Sequence, residues 1–421
     1  MKRNQKGFAH LFVVILAVIV VVAIVFAAMR ISKKTSVQDS VSTDAATKGK
    51  FLSDNQCSGT GSKTLTSSPM KPADIGIIQP MGNMVQGGHV TPIDHEYYYQ
   101  TNPSAKADTY DVMAPADGNI VQIQYRTQNV GDQNRDGNSD PVNQYRIVIS
   151  YSCTFFSYYD LMTSLDKSIT DKFPSAAKGK MNGIIPVKAG QVIGHVGGQS
   201  LDFAVWDTTK TAKGLLFPTA YSAEAWKINT VAPLDYFSDT VKSQILPFYV
   251  RNTAPQDGRF DYDISGKAVG NWFKVGSNGY AGGTSQSPTY YRGHLALAYD
   301  SIDPTALVVS LGDFNGNAQP YGVKGNTPDP ATIGVSSTPT KYELVQLGYQ
   351  TSNGQSWNGM TPASDLKIAI NGPVVGTVLI QLTDTNDMKV QVFPGKTADQ
   401  VTGFDNNAQM YNRGQDATFS R

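Results

Sequence analysis

Between Phe8 and Met29 the chain is apolar at every position except His10, with Lys2, Arg3 and Lys6 before the run and Arg30, Lys33 and Lys34 after it. At about 1.5 Å per helical residue such a run crosses a hydrocarbon core of roughly 30 Å. It is longer than the roughly 7–15 apolar residues of a cleaved signal peptide. Residues 1–34 are therefore expected to form an uncleaved, single-pass transmembrane helix that holds the bulk of the chain at the cell membrane on its outer, extracytoplasmic side. Residues 35–70 are rich in Ser, Thr, Asp, Lys and Gly, and predict a flexible spacer.

Beyond the spacer the period changes. Segments such as Asn119–Tyr125, Tyr145–Tyr151, Gly190–Val196 and Leu201–Trp206 are short, β-branched or aromatic, and bounded by Gly, Pro, Asn or Asp. That is the pattern of strands joined by turns, and it predicts an all-β fold. Asp239–Tyr249 is the one segment read as a short helix or irregular connector, followed by the breakers Pro255 and Gly258. The expected organisation is a β-domain over 71–240, a connector over 241–258, and a second all-β domain over 259–421. In the latter, segments such as LALAYDSI, ALVVSLG and VVGTVLIQLTD have the spacing of a β-sandwich or β-barrel.

Composition narrows the function classes. A net charge of +1 with 16% charged residues gives no basic field for nucleic acid, so no nucleic-acid partner is expected. Cys57 and Cys153 are the only cysteines. In an oxidising compartment they can join the end of the spacer to the first domain, or each can remain a thiol with Cys153 simply buried.

The sharpest single motif is DQNRDGNSD at residues 132–140. Asp132, Asn134, Asp136 and Asp140 fall at alternating positions around Gly137, a spacing that turns oxygen ligands inward and predicts calcium binding. Asn143 stands where an EF-hand carries its bidentate Glu, so the loop is read as a calcium insertion between strands. A solvated Asp/Asn turn uses the same residue types.

Three stretches carry a family resemblance. DVMAPADGNIVQIQ (111–124), YRIVISYSCTFFSYYDL (145–161) and PVKAGQVIGHVGGQSLDFAVWD (186–207) resemble the lysostaphin/LytM-type peptidoglycan endopeptidases. The corresponding family segments read V-x-A-P-x-D-G-x-V, S-x-Y-x-H-L, and V-x-x-G-x-x-I-G-x-x-G with a following H-x-H-F-E-V. The resemblance implies a duplicated-hybrid-motif-like β-domain and a zinc site. It places Asp160 where the family has a catalytic His, Ser200 and Asp202 on the two His of H-x-H, and the GHVTPIDH segment (88–95) on the H-x-x-x-D zinc ligands. His89, Asp94, His95 and Asp202 satisfy the ligand inventory of zinc on paper. The spacing departs from the pattern, however, and the carboxyl and hydroxyl of Asp160 and Ser200 do not perform the work of an imidazole near neutral pH. Each histidine is equally compatible with an ordinary loop role, bonded to backbone carbonyls. Tyr97–Tyr99, Tyr158, Tyr159 and Trp206 are expected to line a groove for glycan or stem peptide, or else to be core.

In the second half, Gly270–Trp272 forms a G-x-W and Arg413 lies near the end. Lipocalin-like barrels start with such a strand and pack a late Arg on its Trp, whereas Trp272 can also be an ordinary core aromatic.

Three functions follow. The leading one is a membrane-anchored, calcium-stabilised module with a catalytically degenerate endopeptidase-like domain, binding peptidoglycan or serving as a structural part of the cell envelope. The alternative is an active metallohydrolase on cell-wall peptides with a remodelled His/Asp zinc site, assisted by Asp160. The third is a small-ligand carrier working through its second domain.

Overall fold

The strand Leu201–Asp207 shows how the first half is built. Leu201, Phe203 and Val205 enter one hydrophobic core, while Asp202, Ala204 and Trp206 lie on the opposite face of the sheet. The computed structural model describes residues 44–86, 88–128, 142–181, 183–282 and 290–417. The predicted membrane anchor lies outside these residues, as do Asp132, Asn134, Asp136 and Asp140 of the predicted calcium loop. Among the described residues no helix is long and apolar enough to cross a membrane.

In chain order the first half comprises helix α1 (44–52), strands β1 (Ile75–Gln79), β2 (Glu96–Gln100), β3 (Tyr110–Met113), β4 (Gly118–Gln128), β5 (Val142–Ser152), β6 (Phe155–Met162) and β7 (Ser164–Leu165). Helix α2 (Lys167–Thr170), strands β8 (Ile185–Val187), β9 (Val192–Val196), β10 (Leu201–Asp207) and β11 (Thr230–Val231), and helix α3 (Asp239–Ile245) follow. The large sheet runs β1-β2-β10-β6-β5-β4-β8 with β11 beside β10, and a small sheet runs β3-β9-β7. Ile147, Tyr159 and Phe203 from the large sheet pack against Val112 and Ile193 from the small one.

Two boundaries differ from the sequence reading. Residues 44–70, assigned to a flexible spacer, are packed: α1 lays Leu52 on the outer face of the large sheet, and Leu65 and Met70 are fully buried in the core. Leu65 finds backbone partners in Tyr236 and Ser238, and Cys57 is bonded to Cys153. A few apolar residues and one covalent joint thus order a stretch whose average composition is that of a linker. The connector expected over 241–258 likewise belongs to the first core, because α3 and the turn after it bury Val241, Ile245 and Tyr249 there.

The second half is a closed barrel. Strands β12 (Gly270–Lys274), β13 (His294–Tyr299), β14 (Leu307–Phe314), β15 (Asn317–Val323) and β16 (Thr340–Gln346) lead to a small hairpin, β17 (Tyr349–Gln350) with β18 (Lys367–Ile368). Strands β19 (Val374–Asp384), β20 (Asp387–Pro394) and β21 (Gln409–Asn412) complete the ring, with β21 paired back onto β12. Period-two alternation fills the interior with Trp272, Leu297, Val309, Tyr342, Leu344 and Ile380, so the barrel closes around its own side chains.

The G-x-W strand forms the closure. The Arg413 guanidinium stacks 3.6 Å over Trp272 and donates to Asp263 and to the carbonyls of Lys267, Val269 and Asn271. Gly270 sits at φ 113°, and a Cβ there would lie 2.1 Å from Asp263 Oδ1 and 2.8 Å from Arg413 Nη1. Only glycine fits beneath this ion pair.

Candidate functional site

The outer face of the large sheet is not simply solvated. Tyr158 and Asp160 on β6, Gln144 and Arg146 on β5, Arg126 on β4 and Asp202 on β10 project from it into a cavity of about 600 Å³. The segment before β2 adds His89, Asp94 and His95, and the turn between β10 and β11 adds Glu224 and Trp226. Tyr280 and Tyr290 of the second half complete the wall, and the Tyr290 hydroxyl donates to the Gly88 carbonyl.

Every candidate of the resemblance therefore reaches one place, including Ser200, but in company that changes their chemistry. Asp94 accepts from the Lys227 ammonium at 2.8 Å and from Thr230 at 3.2 Å, and Lys227 is itself buried. Burial opposes the Asp94 charge, but Lys227 and His95 outweigh it and hold the carboxyl far below the usual range. Asp160 is more fully engaged still. It accepts from Arg126, from Arg146 at 2.8 and 3.0 Å, from the Tyr158 hydroxyl at 2.9 Å and from the Leu161 amide at 2.8 Å. Burial again opposes its charge, and the two guanidiniums lower its pKa. An ionised carboxylate with its lone pairs engaged in this way positions the two guanidiniums. Leu161, next to it, holds a left-handed backbone at φ 64°, a conformation that costs about 1–3 kcal/mol and is characteristic of functional sites.

Between these two ion pairs lies His95. Its Nδ1 is 3.6 Å from Asp94 and its Nε2 is 3.4 Å from Asp202. Burial disfavours its charge, yet the carboxylates of Asp202 and Asp94 raise its pKa above the ordinary histidine range. Burial pushes the Asp202 carboxyl up to about 7, against the pull of His95. His89 meets the edge of His95 with ring centroids 5.6 Å apart. Desolvation, then the charges of His95 and Lys227, push it down to about 3, so it is neutral.

The four proposed metal ligands are thus neighbours without being a ligand set. Among the described residues no group of three or more His, Cys, Asp or Glu side chains is arranged to hold a metal ion. Of the four, Asp94 already has a cation beside it, the Lys227 ammonium at 2.8 Å.

What the cavity does offer is unspent hydrogen bonding. His95 Nε2, Arg126 Nε, Gln144 Oε1 and Asp202 Oδ1 are buried and lack a hydrogen-bond partner, and all four belong to residues lining this one cavity. Gln144 is held in place because its amide donates to Gln199, which in turn donates to the Leu161 carbonyl. His95 Nε2 faces the other Asp202 oxygen at 3.4 Å, which leaves one donor, Arg126 Nε, and two acceptors, Gln144 Oε1 and Asp202 Oδ1, directed to the cavity without a protein partner.

Of the aromatic residues read as groove-lining, Tyr97, Tyr99 and Tyr158 line the cavity, whereas Tyr98 and Tyr159 point the other way into the core. Trp206 stacks behind Tyr158 and Trp226, with ring centroids 5.4–5.6 Å apart. His195 stays outside the cavity, beside Ser164 and Asp111.

Sequence reasoning missed Arg126, Arg146, Lys227 and the two tyrosines of the second half. Arg146 carried a usable signal: in Tyr145-Arg146-Ile147 it alternates with core residues and so shares the face of Asp160. Lys227 carried none, being 133 residues from the Asp94 it neutralises.

No protein-family model matches the chain, and neither does any of the curated proteins searched. Among solved structures it is similar to the NMR solution structure of lysostaphin, with 11% identity over 79% of this chain and 91% of that one. The TM-score of 0.21 is too low for this likeness to bear on fold or function.

Proposed function

We propose that the chain is a membrane-tethered, extracytoplasmic binding module for a cell-envelope polymer of the peptidoglycan type, built on a peptidase-like β-framework whose metal has been exchanged for fixed cations. The observation that carries this reading is the convergence of three buried polar atoms without a protein hydrogen-bond partner, Arg126 Nε, Gln144 Oε1 and Asp202 Oδ1, on a cavity whose other aspartates are already neutralised by Lys and Arg. Such a cavity is pre-organised to hold a polar ligand without further rearrangement.

The test is retention of the purified chain on isolated cell-wall sacculi, with an Arg126→Gln, Asp202→Asn double variant as control. Retention of the wild type and loss of the variant are expected, and a wild type that washes off freely would refute the proposal. Metal analysis after zinc loading separates the hydrolase alternative, for which stoichiometric zinc surviving gel filtration would be the supporting result. Calcium at Asp132, Asn134, Asp136 and Asp140 belongs to the same proposal: the loop joins β4 to β5, the strands that carry Arg126 and Arg146. Chelation is expected to lower the melting temperature by about 2–4 °C for each kcal/mol of ion binding lost, and an unchanged melt would remove calcium from the account.

A further inference from the structure

A second cavity, of about 540 Å³, adjoins the first and has the opposite chemistry. The two share Val85 and Tyr99 as a common wall. Gln79 and Asn83 line it from the first half, and from the second half Tyr349 of β17 with Trp357 and Asn358 of the excursion between β17 and β18. No Asp, Glu, Lys, Arg or His lines it among the described residues.

Its polar groups are rigidly placed. The Trp357 indole donates to the Thr361 carbonyl at 2.7 Å and meets Tyr349 edge-on, with centroids 5.7 Å apart. Asn358 Oδ1 accepts from the amides of Met360 and Thr361 and from the Thr361 hydroxyl, each at 3.0 Å, which fixes the loop that carries the indole. Gln79 donates across the junction to the Gly359 carbonyl at 3.1 Å and accepts from Asn83 at 2.9 Å. The halves of the molecule therefore build this cavity together.

We infer that the junction cavity is a subsite for a neutral sugar ring, adjoining the charged cavity, so that the ligand is a glycan bearing a charged peptide. A fixed, half-buried indole beside a tyrosine offers an apolar face to the C–H surface of a pyranose. A primary amide carries two N–H groups, so Gln79, Asn83 and Asn358 each keep a donor for a sugar hydroxyl beyond the bonds above, without the desolvation cost of a charge. A charged ligand group, by contrast, finds its complements only beyond Tyr99, at Arg126, His95 and Asp202.

The inference extends the reading of the charged cavity, and the two fail separately. Isothermal titration of the full chain in detergent, with the tetrasaccharides of N-acetylglucosamine and of glucose, is expected to show binding of at least one. Trp357→Ala is expected to weaken it at least about tenfold and Trp357→Phe less than about threefold. Melting curves of each variant establish that the fold is retained. If neither sugar binds at millimolar concentration, or if a folded Trp357→Ala variant binds as the wild type does, the sugar subsite is refuted even where sacculi are retained. If a tetrasaccharide binds but sacculi do not, the subsite stands and the envelope reading falls. Binding abolished equally by Arg126→Gln would move the sugar into the charged cavity and refute the assignment.

Discussion

Asp160 and Asp263 are both buried aspartates held by arginine, and the molecule uses them in opposite ways. At the barrel closure Arg413 and Asp263 turn almost everything they have toward the main chain: three carbonyls receive the guanidinium, and the amides of Leu216 and Asn271 reach the carboxylate. Arg413 Nε is left over, in the plane that stacks on Trp272. Around Asp160 two guanidiniums converge on one carboxylate, each about a quarter exposed, and Arg126 Nε stays unused beside the free atoms of Asp202 and Gln144. A buried ion pair alone is therefore no mark of a site. The mark is hydrogen-bonding capacity left unspent where a ligand can reach it.

The sharpest way to break this contrast is Arg413→Ala. It leaves Asp263 buried and unpaired, and should cost about 3–5 kcal/mol in denaturant unfolding; a loss below about 1 kcal/mol would mean that the closure does not depend on the pair. Lys227→Met comes next, at about 3 kcal/mol by the same mechanism, with Asp94 as the stranded charge. Arg126→Gln should cost less than about 1 kcal/mol, because Arg146 still holds Asp160, while reducing retention on sacculi at least about tenfold. A large stability loss with unchanged retention would make Arg126 another Arg413.

The smallest effect is a change of slope with pH. The Asp202 carboxyl is raised from 3.8 to about 7, so the folded state keeps a proton that the unfolded chain releases. The resulting stability is full below pH 3.8 and is lost as pH rises toward 7; His95, also raised, extends the loss above its ordinary 6.5. The lowered pKa values of Asp94 and Asp160 act in the other direction, removing stability only as pH falls below their ordinary 3.8. His89 and His294, lowered to about 3, add a rise with pH over the same range in both proteins, so between pH 4 and 7 the slope of stability with pH should be more negative in the wild type than in Asp202→Asn. Equal slopes would mean that Asp202 is ionised throughout.

What was legible in the sequence was local. The alternation in LDFAVW places Asp202 off the core face, and the G-x-W and Arg413 anticipated the barrel closure. The candidate ligands were legible as a set because strand order brings them together. Their neutralisation was mostly not, because it depends on partners that the fold supplies: Lys227 from a short turn and Arg126 from β4, with only Arg146 marked by its alternation with core residues. Residues 44–70 were misread for a related reason. Mean composition cannot register that Leu65 and Met70 alone reach the core.

The bond between Cys57 and Cys153 has a mechanical consequence. Cys153 sits in the tight turn between β5 and β6, at the middle of the large sheet, with the Gly59 carbonyl bonded to its amide. Tension arriving along the chain from its N-terminal side is delivered through a covalent bolt to the centre of that sheet, and bypasses the edge contacts of Leu65. Once the packing of α1 on the sheet has given way, strands β5 and β6, which carry Arg146 and Asp160, take that load, so a pull from the N-terminal side reaches the wall of the cavity.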